Sequence, residues 1–189
     1  MRPFTTWEPV VGAIVLLCAI QAVVLHFFGQ PTIAAEGVIK LWEGVVQGAG
    51  NSQHLSDWYT FSHILHGLLF YAALRWLFPQ LTLGQRVLIA TMVEIGWEIF
   101  ENTPMVIDAY RQQALAQGYT GDSVINSVSD TLAMIAGFLF ASRAPVAYSI
   151  GLALFLEAWV GYSIRDNLTL NILNFAHHFE FIERWQSGV

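Results

Sequence analysis

Charge is scarce in this sequence. Of 189 residues, only 12% are Asp, Glu, Lys or Arg, about half the share of a typical soluble domain. Positive charge is scarcer still: eight basic residues stand against fourteen acidic ones, scattered rather than gathered in a stripe. That argues against a nucleic-acid surface. Cysteine is nearly missing, and the single Cys18 lies inside an apolar run. It has no intrachain disulfide partner and no paired Cys-x-x-Cys site, so it reads as a small hydrophobe. The chain also lacks a Gly-rich phosphate loop, a Gly-x-Ser-x-Gly elbow, a His-Glu-x-x-His helix and the repeated Glu-x-x-His of di-iron bundles. Internal repeats and low-complexity tracts are absent too.

What the chain has is apolar length. Hydrophobic residues make up 55% of it, and five apolar runs fall near the roughly 20 residues that cross a hydrocarbon core. They cover about residues 10–28, 59–78, 87–102, 124–142 and 146–164. The expected fold is therefore all-α, a single polytopic transmembrane helical bundle of about five spans over 1–189. The first run exceeds the roughly 7–15 apolar residues of a signal peptide, so it reads as a retained span. Residues 33–46 place Ala34, Val38, Leu41 and Val45 at helical spacing, and the tail places Ile172, Phe175, Phe179 and Ile182 likewise. Both stretches, 33–46 and 171–186, predict interfacial amphipathic helices. Between spans three and four, Pro104 breaks the third helix.

Threading five spans sets the N-terminus and the short hinges at Pro79 to Gln85 and Ala144-Pro145 on one side. That side holds Arg2, Arg75, Arg86 and Arg143 against the lone acid Glu8. Arginines in short segments beside span ends mark the cytoplasm. The reading is a multi-pass inner-membrane protein with a cytoplasmic N-terminus and its polar face toward the periplasm.

Four runs deliver polar residues to that face. His63 and His66 lie one turn apart on the second. Glu94, Glu98 and Glu101 form one acidic stripe on the third. Asp122, expected to cap the fourth, is followed by Asn126, Ser129 and Asp130 at helical spacing. Glu157, Arg165, Asp166 and Asn167 close the fifth. Counted at about 1.5 Å per residue, the deeper members share a depth of one to two turns. An acid at mid-membrane costs about 2.5–3.5 kcal/mol, so mutual contacts, protonation or a cation must offset several of them. The His and carboxylate set suits a divalent metal such as zinc, manganese or iron. The bland readings are that each histidine is a hydrogen-bonded packing residue, and that Arg111 and Arg165 neutralise the Glu stripe as a structural ion network. Trp58, Tyr59, Trp97 and Trp159 fit an aromatic belt.

The blocks Ser52-Gln53-His54-Leu55-Ser56-Asp57-Trp58-Tyr59-Thr60-Phe61-Ser62-His63, Trp97-Glu98-Ile99-Phe100-Glu101-Asn102, Gly121-Asp122-Ser123 with Asn126-Ser127, and Ile164-Arg165-Asp166-Asn167-Leu168-Thr169-Leu170-Asn171 resemble uncharacterised protein family 0314. The resemblance runs from Trp7 onward and implies a multi-pass bacterial inner-membrane protein, with no activity attached. A more distant similarity of layout is to the VanZ-like family, associated with teicoplanin resistance. The matching positions are His63 or His66, Glu94 or Glu98, Arg111, and Asp122 with Asn126. Span four departs from that pattern with Ser129 and Asp130 in place of a glycine, and Glu101 and Asp166 have no counterparts.

The leading expectation is a membrane-embedded enzyme acting on a lipid or lipid-linked substrate near the headgroups. Glu94, Glu98, Glu101, Asp122, Asn126 and Asp130 form its catalytic set, and His63 and His66 its metal ligands. Arg111, Arg165, Asp166 and Asn167 would bind substrate, an arginine holding an anionic headgroup. The alternative is a non-catalytic accessory or assembly factor docking a membrane-protein partner, its polar network structural. A proton or small-ion pathway ranks last, because no polar line crosses the inner half.

Overall fold

An apolar segment in lipid must satisfy its own backbone hydrogen bonds, and the long apolar segments of this chain are helical. The computed structural model describes residues 7–112, 115, 118–177 and 179–188. Arg2, one of the four arginines on the hinge side, lies outside them. Among the described residues there are eight helices and no strand: α1 (Glu8–Phe27), α2 (Thr60–Leu77), α3 (Leu83–Glu101), α4 (Pro104–Arg111), α5 (Val124–Arg143), α6 (Val146–Ile164), α7 (Leu168–Ala176) and α8 (Glu180–Ser187). Three of them, α1, α5 and α6, are long and apolar enough to cross a membrane. α2 and α3 have 18 and 19 residues, but their histidines and carboxylates dilute the apolar signal.

The centre is the crossing of α2 and α5. A Cβ on Gly67 would stand 2.1 Å from the Met134 carbonyl oxygen, and one on Gly137 would stand 2.2 Å from that of Ile64. Only glycine lets these two backbones approach so closely. Toward the hinge side, Val10, Leu74, Val87, Ala90, Met134 and Phe138 form an apolar core joining α1, α2, α3 and α5. α6 lies outside, held through Leu156 against Leu65, Leu68 and Ala141. Its other face exposes Val146, Leu154, Phe155 and Tyr162, and α1 exposes Val11, Val15, Val23 and Phe27. Apolar residues facing outward on two helices with one carboxylate each, Glu8 at the start of α1 and Glu157 toward the end of α6, are what a lipid-facing surface requires.

The hinges are short and well made. Thr82 caps α3 in a reciprocal capping box with Gln85, and Pro145 precedes α6 where its missing N–H costs nothing. The other side holds the long connections, which interlock. Val124 N–H donates to the Pro31 carbonyl at 2.8 Å and Ser123 N–H to that of Ser52 at 2.9 Å, so the first connection satisfies free N–H groups at the start of α5.

Two expectations fail here. Residues 33–46 are not helical. Gly37 turns the chain at φ +72°, and the backbone pairs with residues 55–57 through Leu55 N–H to Lys40 O, Glu43 N–H to Ser56 O and a Glu43–Asp57 bridge. Helical spacing of a few apolar residues is outweighed by these non-local bonds. The tail, expected as one helix over 171–186, is two, α7 and α8, parted at His177 and Phe179, where the backbone is extended. α3 ends at Glu101, before Pro104, and Pro104 starts α4.

Candidate functional site

Helical spacing turns His63 and His66 of α2 toward Glu94 of α3. His63 Nδ1 lies 2.6 Å from Glu94 Oε1, and His66 Nδ1 lies 3.0 Å from Oε2 and 3.2 Å from Oε1. Glu94 is fully buried, and these three side chains bring their ligand atoms close enough together to hold one metal ion. His63 Nδ1 also lies 3.2 Å from Glu98 Oε1, while its Nε2 lies 3.9 Å from Asp130 Oδ2 of α5. The imidazole of His63 thus stands among three carboxylates. Ser127 donates to Glu98 Oε2 at 2.5 Å, and Gln21 of α1 donates to Ser127 Oγ at 2.8 Å and accepts from Thr131. Two buried oxygens, Glu98 Oε1 and Asp130 Oδ1, have no hydrogen-bond donor. Unsatisfied buried acceptors are rare and costly, and they mark places where another group belongs.

The cluster opens on a cavity of about 900 Å³. Its polar wall carries His63, His66, Glu101, Asp122, Asp130 and Asp166, and its apolar wall Leu69, Phe70, Val93, Trp97, Ile172 and Phe175. Tyr59, Tyr110 and Tyr119 line it as well. Asp122 is held by Asn102 Nδ2 at 2.7 Å and the Tyr119 hydroxyl at 2.9 Å; burial still pushes its carboxyl above the usual range, against those donors. Asp166 accepts from the Tyr59 hydroxyl, Gln186 and the Asn167 N–H, yet burial pushes it up to about 6. Burial and the neighbouring Glu101 raise the Tyr110 hydroxyl, so it stays protonated and can donate.

Other expected site residues are placed elsewhere. Arg111 donates to the Tyr119 carbonyl at 2.6 Å and pairs with exposed Asp108 at 3.6 Å. Arg165 adopts a left-handed backbone at φ +60°, donates to the Trp185 carbonyl and lies over the Trp185 ring at 5.6 Å. Neither arginine reaches the Glu stripe or lines the cavity. Glu157 caps α7, accepting from Leu168 N–H, Thr169 N–H and the Thr169 hydroxyl. Asn167 also caps α7 through Leu170 N–H, and Ser123 rather than Asp122 is the cap of α5. Asn126 is buried and ties α5 to the His54 carbonyl at 2.9 Å. Trp58 and Trp159 meet Trp42 and Phe61 in one aromatic group.

Sequence reasoning missed Gln21, a fully buried amide in the most apolar run. A lone polar residue in such a run is itself the signal. Asp57, read only as part of the polar block before the second run, accepts from the Ser52 and Tyr59 N–H groups and shapes the turn into α2.

Comparison with known proteins bears on identity. Residues 25–188 match the family described as "Protein of unknown function (DUF2585)". A UPF0314 protein of Rhizobium meliloti (strain 1021) is 52% identical over 171 residues, 90% of this chain and 87% of its own length. Another, from Sphingopyxis alaskensis, is 49% identical over 91% of this chain and 92% of its own. The chain belongs to the UPF0314 family. A UPF0314 protein of Agrobacterium fabrum (strain C58) is 44% identical over 97% of this chain and 91% of its own. No solved structure matches this chain.

Proposed function

We propose that this UPF0314 chain is a membrane-embedded enzyme that acts on a lipid or lipid-linked substrate with the help of a divalent metal. The observation that supports it is the junction of two features: a His63, His66 and Glu94 set in which His63 and Glu94 are buried and His66 is half-buried, and an amphipathic cavity of about 900 Å³ that includes both histidines in its wall. A lipid headgroup needs the polar wall and its chain the apolar one.

In this reading α2 and α3 are also spans, making five. Their polar faces turn inward, with His63 and Glu98 buried, as ionisable groups in membranes require. The hinges and N-terminus lie toward the cytoplasm, and the site lies toward the periplasmic face of the inner membrane. His63 Nδ1, His66 Nδ1 and a Glu94 oxygen would hold the ion, which fits zinc, manganese or iron. Bound there, the ion supplies Lewis-acid activation of the group to be cleaved or attacked. Glu98, whose Oε1 has no donor, is placed to take a proton, and Ser127 fixes its other oxygen. Asp130 Oδ2 stands 3.9 Å from His63 Nε2, where its charge faces the ring. Of the positions that resemble the VanZ-like pattern, His63 meets Glu94 at 2.6 Å and Asp122 lines the same cavity, whereas Arg111 is engaged by the Tyr119 carbonyl and Asp108.

A second reading has its own observation. Glu157, Asn126, Asn102 and Asp166 all spend their hydrogen bonds on helix ends and connections. A network of that kind fits an accessory protein whose polar residues fix its shape.

Elemental analysis of protein purified without chelators separates the two. The expected outcome is near-stoichiometric zinc, manganese or iron in the wild type and none in His63→Ala/His66→Ala, with both proteins folded. Metal absent from both samples would overturn the metal-assisted reading and favour the accessory role.

A further inference from the structure

The cavity has a charge imbalance that the metal does not remove. Four carboxylates, Glu101, Asp122, Asp130 and Asp166, line it, and no lysine or arginine does among the described residues. The cations nearest in sequence are committed elsewhere. Arg165 is engaged by the carbonyl and ring of Trp185, Arg111 by the Tyr119 carbonyl, and Lys40 by Glu43 at 2.6 Å. An ion on His63, His66 and Glu94 would stand beside Glu98 and within one imidazole of Asp130, but Glu101, Asp122 and Asp166 would still have no lysine or arginine in the wall beside them.

One of those acids is visibly incomplete. Asp130 is 4% exposed and lines the cavity, and its Oδ1 has no donor. An anionic headgroup would meet four carboxylates here, against two histidines that are already paired with Glu94. An ammonium group supplies both what the acids lack in charge and what Asp130 lacks in N–H donors or electrostatic pairing. The tyrosines and Trp97 around the same space offer ring faces, which attract ammonium groups. Beyond them Leu69, Val93 and Ile172 are more than half exposed, forming an apolar edge where a chain can lie.

We propose that the cavity binds a long-chain amphiphile whose polar end is an ammonium group, the positive end at Asp130 and its neighbouring carboxylates and the chain along the apolar wall. This rests on the reading of the cavity as a substrate site, and it names the substrate class.

The test uses full-length protein in a neutral maltoside detergent, with dissociation constants measured by native mass spectrometry. The probes are dodecyltrimethylammonium, dodecanol and dodecyl phosphate, with tetramethylammonium as the chainless control. The ammonium amphiphile should bind the wild type about tenfold more tightly than dodecanol, the size of one desolvated cation–carboxylate or cation–ring contact. Asp130→Asn should remove most of that preference. The comparison of probes on the wild type needs no variant, so poor folding of Asp130→Asn would not shelter the idea. Equal binding of the three long-chain probes, or a preference for the phosphate, would overturn it. So would an ammonium preference unchanged in folded Asp130→Asn, and tetramethylammonium binding as tightly as the long-chain probe would overturn the amphiphile. Metal content is read on the same samples. Metal without ammonium preference sinks this inference and leaves the metal site; ammonium preference without metal does the reverse.

Discussion

The two ends of the bundle are held by different physics. Toward the hinges, α1, α2, α3 and α5 meet through Val10, Leu74, Val87, Ala90 and Phe138, and the connections are a few residues long. Toward the long connections the same helices meet through Gln21, His63, Glu94, Glu98, Ser127 and Asp130. Apolar packing is non-directional and leaves no group needing a specific partner, whereas a buried polar group left alone costs its full desolvation. The hinge end can therefore act as a scaffold, and the other end carries groups that scaffolding alone would not select. The lesson is a division of labour: stability accumulates where charge is absent, and the charged end draws on it.

The boundary between the two ends is the glycine crossing of α2 and α5, and breaking it should have the largest effect. Gly67→Val places atoms against the Met134 carbonyl and the Phe138 amide, so the helices must separate. The expected loss is on the order of 3 kcal/mol or more, since overpacking against backbone has no side chain to move aside. Thermal unfolding in detergent checks it. If both ends depend on this crossing, Gly67→Val should also abolish metal retention. Retention at wild-type levels would show that the polar end holds together independently.

The five long helices fall within a few residues of the apolar runs, because long apolar stretches satisfy their backbone hydrogen bonds most simply as helices. The shared depth of His63, His66, Glu94, Glu98 and Asp130 is likewise legible, since helical period fixes which face each occupies. The connections are not. Residues 33–46 have helical spacing, yet Glu43 and Lys40 bond to residues 54–57, and no local pattern announces a partner fourteen residues away. The same limit explains Glu157, Asn126, Arg111 and Arg165. Each is polar at the correct end of a helix, but caps and carbonyls that only the folded connections present have taken them. Gly67 and Gly137 were unreadable because closeness belongs to a pair.

A smaller effect sharpens the contrast through pH. Asp166, at the polar end and outside the helices, is raised from 3.8 to about 6 by burial. The fold binds this proton more tightly than the unfolded chain does. Its contribution to stability is complete below about pH 4 and is lost as pH rises through 6, by about 3 kcal/mol at most. Asp166→Asn should therefore flatten the fall of unfolding temperature between pH 4 and 7. An unchanged slope would show that Asp166 does not titrate in this way.

The smallest expected effect belongs to the hinge end and should show no pH dependence over the same range. Thr82 Oγ accepts from the Gln85 N–H at 3.2 Å, and Gln85 Oε1 accepts from the Thr82 N–H at 2.9 Å. Neither partner ionises. Thr82→Ala removes one of these two bonds and should cost about 1 kcal/mol, equally at pH 4 and pH 7. It should leave metal content and amphiphile affinity as they are, because the cap stands at the start of α3 while Glu94 and Glu98 lie three and four turns further along. A loss of metal in Thr82→Ala would mean that the start of α3 sets the rotation of the whole helix. The two ends would then form one mechanical unit, and the scaffold could not be altered without altering the site.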